Sequence, residues 1–97
     1  MNSNKFISIK TFCKIHGVDE SFVYELSEYD VLQLRVKNEE AQLPVEELVI
    51  LERMVRLNKE LDINPEGLHA VHHLLKKLNK LQEELFVLKR KLDNNNA

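Results

Sequence analysis

Glycine, cysteine and long apolar runs are all scarce in this chain of 97 residues, and each scarcity removes a class of function. Gly17 and Gly67 are the two glycines, fifty positions apart, so no Gly-rich loop is available to cradle phosphates. A single cysteine excludes a disulfide framework and a four-cysteine zinc site, and fits a reducing compartment. No unbroken apolar run exceeds four residues, as in Leu48-Val49-Ile50-Leu51, whereas a bilayer span needs roughly 20. Met1 to Lys10 is polar and lacks the apolar core of a signal peptide, so no export signal is expected. The expectation is a soluble, cytoplasmic protein. At this length one small domain, or a small domain plus one long helix, is all that a core can support.

Charge of one sign is also lacking overall, since the formal net charge is −2. The total is a cancellation. Residues 17–52 carry ten acids (Asp19, Glu20, Glu25, Glu28, Asp30, Glu39, Glu40, Glu46, Glu47 and Glu52) against two bases, Arg35 and Lys37. Both flanks are basic: residues 1–16 carry three lysines and no acid, and residues 53–97 nine bases against six acids. Whatever the middle third meets should be positively charged.

Hydrophobic spacing organises what is present. Ser8 suits the N-cap of a short helix with Ile9, Phe12, Cys13 and His16 on one face, and Gly17 suits a left-handed stop. Asp19 is a candidate N-cap for a second short helix with apolar Phe22, Val23, Leu26 and Tyr29, giving a helix-turn-helix pattern. Leu32, Leu34 and Val36 alternate with Gln33 and Arg35, a strand signature. A turn at Lys37-Asn38 and a return strand over Glu40 to Leu43 would complete a hairpin, the wing often attached to a helix-turn-helix.

A third helix is expected over Val45 to Leu61, with Leu48, Leu51, Met54, Val55 and Leu57 inward. Asn64 as N-cap and Pro65 at the first helical position start a fourth. There Val71, Leu74, Leu78, Leu81, Leu85, Leu88 and Leu92 recur at steps of three and four, the a and d positions of successive heptads. Such a helix is too long to pack wholly on the preceding domain. Its distal leucines, Leu74, Leu78, Leu81, Leu85, Leu88 and Leu92, are therefore read as a homodimer seam, with intramolecular packing on the third helix as the alternative. The fold expected is mostly α: a winged helix-turn-helix domain with a small β-hairpin over 1–64, a long coiled-coil-like helix over 65–92, and a polar tail over 93–97.

Several constellations invite chemistry and lose to simpler readings. His69 and His73 share a helix face with Glu66, but no cysteine or second carboxylate is near in sequence, so no metal is expected. Cys13 and His16 sit on one face of a short helix, where core packing outweighs nucleophilic chemistry. No acid–base pair in a plausible pocket, nucleophile elbow or cofactor motif is found. An enzyme is not expected, nor any cofactor. DNA binding also meets an obstacle. A recognition helix needs Arg or Lys for phosphates and usually Arg, Asn or Gln for bases. Glu20 to Asp30 contains four acids and no base, so the counterion-release term that drives DNA affinity is missing.

The stretch MVRLNKELDINPEGL, Met54 to Leu68, followed by a Leu-rich helix ending LKRKL at Leu92, resembles the bacterial chaperone-modulator CbpM family. The likeness is carried by Arg56, Leu57, Glu60, Leu61, Ile63, Asn64 and Gly67, and then by the leucine spacing from Leu74 to Leu92 with Glu84. The first part of the chain looks like that family's degenerate MerR-type helix-turn-helix, and the resemblance covers roughly residues 5–92. The segment FVYELSEYDVL, Phe22 to Leu32, lacks the Arg and the Gly-Leu step of MerR regulators that read DNA. The resemblance implies a modulator that binds the J-domain of a DnaJ-like (CbpA-like) co-chaperone and regulates, in the inhibiting direction, its work with Hsp70. J-domains present a basic helix, which an acidic competitor would match. The residues assigned to that contact are Asp19, Glu20, Glu25, Glu28 and Asp30, with Phe22 or Tyr24 as an apolar anchor. Two other readings stay open. One is a MerR-like transcriptional regulator touching DNA through Lys5, Lys10, Lys14 and the wing; the other is a dimeric scaffold without a J-domain partner. No membrane partner is expected.

Overall fold

A computed structural model describes residues 5–95. Met1 to Asn4, the start of the expected 1–64 unit and of the segment read for an export signal, lie outside the described residues, as do Asn96 and Ala97 of the expected tail. Ser8 ends a strand, β1 (Phe6–Ser8), and caps the helix that follows, α1 (Ile9–His16), accepting the Thr11 amide at 3.3 Å. Gly17 stops α1 in the left-handed conformation, φ 64°. After a two-residue step comes α2 (Glu20–Glu28), which packs on α1. Asp19 occupies its N-cap with extended backbone, but its side chain makes no capping hydrogen bond.

The exit from α2 is a Schellman turn built on an aspartate. Asp30 adopts φ 61°, its amide donates to the Ser27 carbonyl at 3.0 Å, and the Val31 amide donates to the Leu26 carbonyl at 2.9 Å. Val31 and Leu32 are thereby driven into the core. This corrects the expectation of a strand from Leu32 to Val36. Strand β2 begins only at Arg35 and spans Arg35–Lys37, with Val36 exposed, because the Schellman turn fixes residues 31 and 32 before any ladder can form. The hairpin turn falls on Asn38-Glu39, one residue later than the spacing suggested. Both residues have positive φ, 53° and 62°, as a two-residue type I′ turn requires, and Asn tolerates that region.

Strand β3 (Glu40–Pro44) pairs antiparallel with β2 and with β1, giving the order β1-β3-β2. Strand β1 has no sequence signature of its own. It pairs Phe6 with Pro44 and Ile7 with Leu43, so three residues gain partners only after the hairpin exists. Pro44 ends the sheet and leads through a 3-10 turn (Val45–Glu47) into α3 (Leu48–Leu61), so the expected third helix is divided in two. Glu47 at that junction accepts the Gln33 amide at 2.9 Å and ties the loop before β2 to the start of α3.

The core gathers Ile9, Phe12 and Cys13 from α1, Val23 and Leu26 from α2, Leu43 from β3, and Leu51, Met54 and Val55 from α3. His16, expected on the inward face, is exposed at the end of α1, where its ring stacks on Phe12 at 4.1 Å between centroids. Asp62 closes α3 in the left-handed conformation, φ 58°. Asn64 then caps α4 (Pro65–Asn95), its Oδ1 accepting the Gly67 amide at 2.8 Å. A Cβ on residue 67 would stand 2.8 Å from Ile63 Cγ2 and 3.3 Å from that Oδ1, so glycine is what lets the cap close. Helix α4 continues three residues past the expected end at Leu92, so Asp93 to Asn95 belong to the helix. At about 1.5 Å per residue its 31 residues reach about 46 Å, most of the 57 Å long axis.

Two substitutions measure these dependencies. Leu26→Ala, which empties a fully buried position, is expected to cost ~2–5 kcal/mol of unfolding free energy in urea titrations. Asn64→Ala removes only the cap and is expected to cost ~1 kcal/mol.

Candidate functional site

Helix α2 has two sharply different sides. Val23 and Leu26 are fully buried and Phe22 is half-buried against the core. Glu20, Tyr24 and Glu28, spaced four apart, run along the outer side, with Glu25 beside them. Tyr24, Glu25 and Glu28 are exposed, as are Asp19 before the helix and Asp30 after it, while Glu20 is half-buried. Among the seven residues assigned to a partner, the structure thus gathers five carboxylates and the Tyr24 ring around the outside of α2. Phe22 is the correction. It lies on the inward side because its position, one turn before Leu26, follows the buried stripe, so Tyr24 alone can serve as an exposed aromatic anchor there.

The hairpin adds residues that the linear reading of α2 did not assign. Glu39 and Glu40 border a shallow groove together with Glu20, Tyr24, Ala41 and Lys10. Ser8 Oγ donates to Glu40 Oε1, which fastens the hairpin over the start of α1. The signal available in the sequence was the acidic excess of residues 17–52, which includes both glutamates; their closeness to α2 depends on the sheet. Lys10 lies in the same groove and sets one positive charge among three acids.

At the other end of the molecule, Leu74, Leu78, Leu81, Leu85, Leu88 and Leu92 form a continuous stripe on α4, each between 50% and 64% exposed. Phe86 and Val87 are exposed too, beside the stripe rather than on it. Leu68 is the one fully buried residue of α4 among the described residues, and Val71 and Leu75 are half-buried. Past Gln82, which still borders a groove with Ile50 and Arg53 of α3, every described residue of α4 is exposed.

A comparison with protein families matches residues 7–90 to the family described as MerR HTH family regulatory protein. The chain belongs to that family. No curated protein matches it in a direct comparison. For a MerR-family chain the outward side of α2 is where a base-reading surface is sought, and here that side carries Glu20, Glu25 and Glu28 with no Lys or Arg on the helix.

Packing also sets the surroundings of Cys13 and of two histidines in this MerR-family domain. Burial, aided by Glu20 and Asp19, pushes the Cys13 thiol up from its ordinary value, so the thiol stays protonated as a core group. His69 stacks on Tyr29 at 5.3 Å between ring centroids, joining the end of α2 to α4. Among the described residues no three of His, Cys, Asp and Glu stand close enough together to hold a metal ion. No described helix is long and apolar enough to cross a membrane.

His72 lies half-buried between α3 and α4, and its imidazole is held below the ordinary 6.5 by that burial first, then by Lys76, His69, Arg53 and His73. The fold therefore favours the neutral ring, while the unfolded chain takes up the proton as pH falls through 6.5. Stability from this group is full above that pH and declines below it. Urea midpoints measured at pH 7.5 and 5.5 are expected to fall for the wild type, and His72→Asn is expected to shrink that fall.

Proposed function

We propose that this chain is a protein-binding member of the family, a chaperone modulator of the CbpM kind, and not an enzyme. In this reading the outer side of α2 docks on the basic helix of a J-domain in a DnaJ-like co-chaperone and restrains that co-chaperone's work with Hsp70. The supporting observation is the charge of the exposed side of α2. Glu20, Glu25 and Glu28 stand there with Tyr24, and Asp19 and Asp30 bracket the helix. A basic helix laid across this side meets attractive charge along its whole length, which speeds encounter and fixes register. Tyr24, 41% exposed, offers the desolvated aromatic contact that charge alone does not provide.

The DNA-binding reading relies on other residues. Lys5 and Lys14 are exposed at the first strand and helix, and Arg35 and Lys37 at the hairpin. Arg35 sits over the Phe6 ring at 5.2 Å, and Lys10 shares its groove with Glu20, Glu39 and Glu40. A duplex approaching these bases also approaches the carboxylates, so the phosphate attraction is largely offset.

The six-leucine stripe of α4 supports a homodimer. Leucines at a and d positions over three heptads, each at least half exposed, are the pattern that a second helix covers.

Titration calorimetry with a purified DnaJ-like J-domain protein tests the docking. Glu25→Lys with Glu28→Lys is expected to weaken binding by about tenfold or more; an unchanged affinity would sink the acidic-face reading. A salt-sensitive shift of duplex DNA at physiological ionic strength would favour the regulator instead. Light scattering of a chain ending at Leu81 is expected to give a monomer, and a dimer at that length would move the interface off the distal helix.

A further inference from the structure

Helices α3 and α4 leave an open groove of about 400 Å³ between them, within the roughly 300–1,000 Å³ of ligand clefts. Its floor is apolar: Met54 is fully buried, Ile50 and Leu75 are half-buried, and Leu78 is 50% exposed. Along α4 the groove runs from His72 through Leu75 and Asn79 to Gln82. At ~1.5 Å per residue that is about 15 Å, or about three turns of a helix laid alongside.

The sides of this groove carry positive charge, and none of the residues lining it is acidic. Arg53 of α3 and Lys76 of α4 are both exposed there. His72, between them, reports the sign of the local field. After burial, the groups that disfavour its proton are Lys76, His69, Arg53 and His73, each a cation or a histidine. The acids nearest in sequence, Glu52 on α3 and Glu83 on α4, border other hollows. The positive charge of the groove is thus met by no carboxylate of its own lining.

We infer that the α3–α4 groove is a docking site for an acidic, amphipathic helical segment of a partner protein. Its apolar side chains lie on Ile50, Met54, Leu75 and Leu78, and its carboxylates pair with Arg53 and Lys76. Other occupants fit less well. A basic segment is repelled by the same two cations. A single strand of nucleic acid needs aromatic rings on which to stack its bases, and the groove lining has none. A wholly apolar segment would take water from Arg53 and Lys76 and give them no partner in exchange. A small inorganic anion gains nothing from the apolar floor. At the distal end the Asn79 and Gln82 amides supply donors and acceptors for the polar end of the segment. This contact is independent of the J-domain docking proposed for α2, which takes a ligand of the opposite charge. Arg53 and Lys76 also lie off the leucine stripe, so the dimer does not depend on them.

A phage-displayed library of random peptides about twelve residues long, enough to cover the groove, is selected on the native chain. Sequences that combine Glu or Asp with Leu, Ile or Phe at helical spacing are expected. The best of them, labelled with fluorescein, is expected to lose at least about tenfold in affinity for a chain carrying Arg53→Glu and Lys76→Glu. Both side chains are exposed, circular dichroism checks the fold, and Arg53→Gln with Lys76→Gln is expected to give a smaller loss. Titration with the same peptide is expected to move the amide resonances of Ile50 and Leu75 and to leave those of Tyr24 and Glu25 in place. A library that yields no acidic sequence, or an acidic peptide that binds the charge-reversed chain equally well, overturns the docking site. Groove resonances that move on dilution of the native chain alone also overturn it, since they seat a second copy there. Basic sequences alone, lost with Glu25→Lys and Glu28→Lys, overturn it while leaving the J-domain reading standing.

Discussion

Burial of Leu68 is the constraint on which the two ends of the molecule depend. It is fully buried beneath α2 and α3 and lies in the first turn of a helix that otherwise presents half-buried or exposed residues. The cap at Asn64 and the absent side chain of Gly67 set the angle at which Leu68 enters the core. The stack of Tyr29 on His69 adds a second attachment one residue later. Everything distal to Leu78 takes its direction from these few contacts. A long helix held at one end is a lever, and its leucine stripe is exposed along the free length.

The acids of the chain do two kinds of work. Some hold the backbone: Asp30 and Asp62 end helices in the left-handed conformation, Glu39 completes the hairpin turn, and Glu47 accepts the Gln33 amide. Glu25 and Glu28 instead stand exposed on a helix whose geometry does not require them. This division matters because an acidic run is ordinarily only a solvated face. Carboxylates that serve no local backbone purpose, aligned on the outer side of the second helix of a MerR-family helix-turn-helix, mark the surface from which nucleic acid is repelled and a basic protein attracted.

The contacts proposed for α2 and for the dimer are chemically separate. One is acidic with an aromatic centre; the other is the apolar leucine stripe of α4. In physiological salt exposed charges are screened within about 8–10 Å, so the carboxylates of α2 attract the basic distal helix of a second copy only weakly. Shape makes up the difference. Leucine packing has no counterpart on α2, and Tyr24 has none on the stripe.

Much of the fold was legible because its signals are local. The Ser8 cap, the Gly17 stop, the Asn64-Pro65 start and the heptad leucines each depend on neighbours within a few residues, and each stands where the sequence put it. The stop made by Asp30 was hidden, since it reads as an ordinary charge until φ is known, whereas the break after Leu61 was legible. Strand β1 was invisible for a different reason: three residues have no stable extended state of their own and acquire one by pairing with β3. The acidity of the candidate site was likewise written in composition, but which carboxylates share a surface was not. Helical spacing alone grouped Glu20, Tyr24 and Glu28; the sheet brought Glu39 and Glu40 to them, and core packing turned Phe22 inward. By itself the sequence determined the helices, their capped starts at Ser8 and Asn64 and the charge of the middle third, because propensity and periodicity act over one or two turns. Only the tertiary structure decided which faces remained exposed and what lay beside them, because burial depends on residues far apart in the chain.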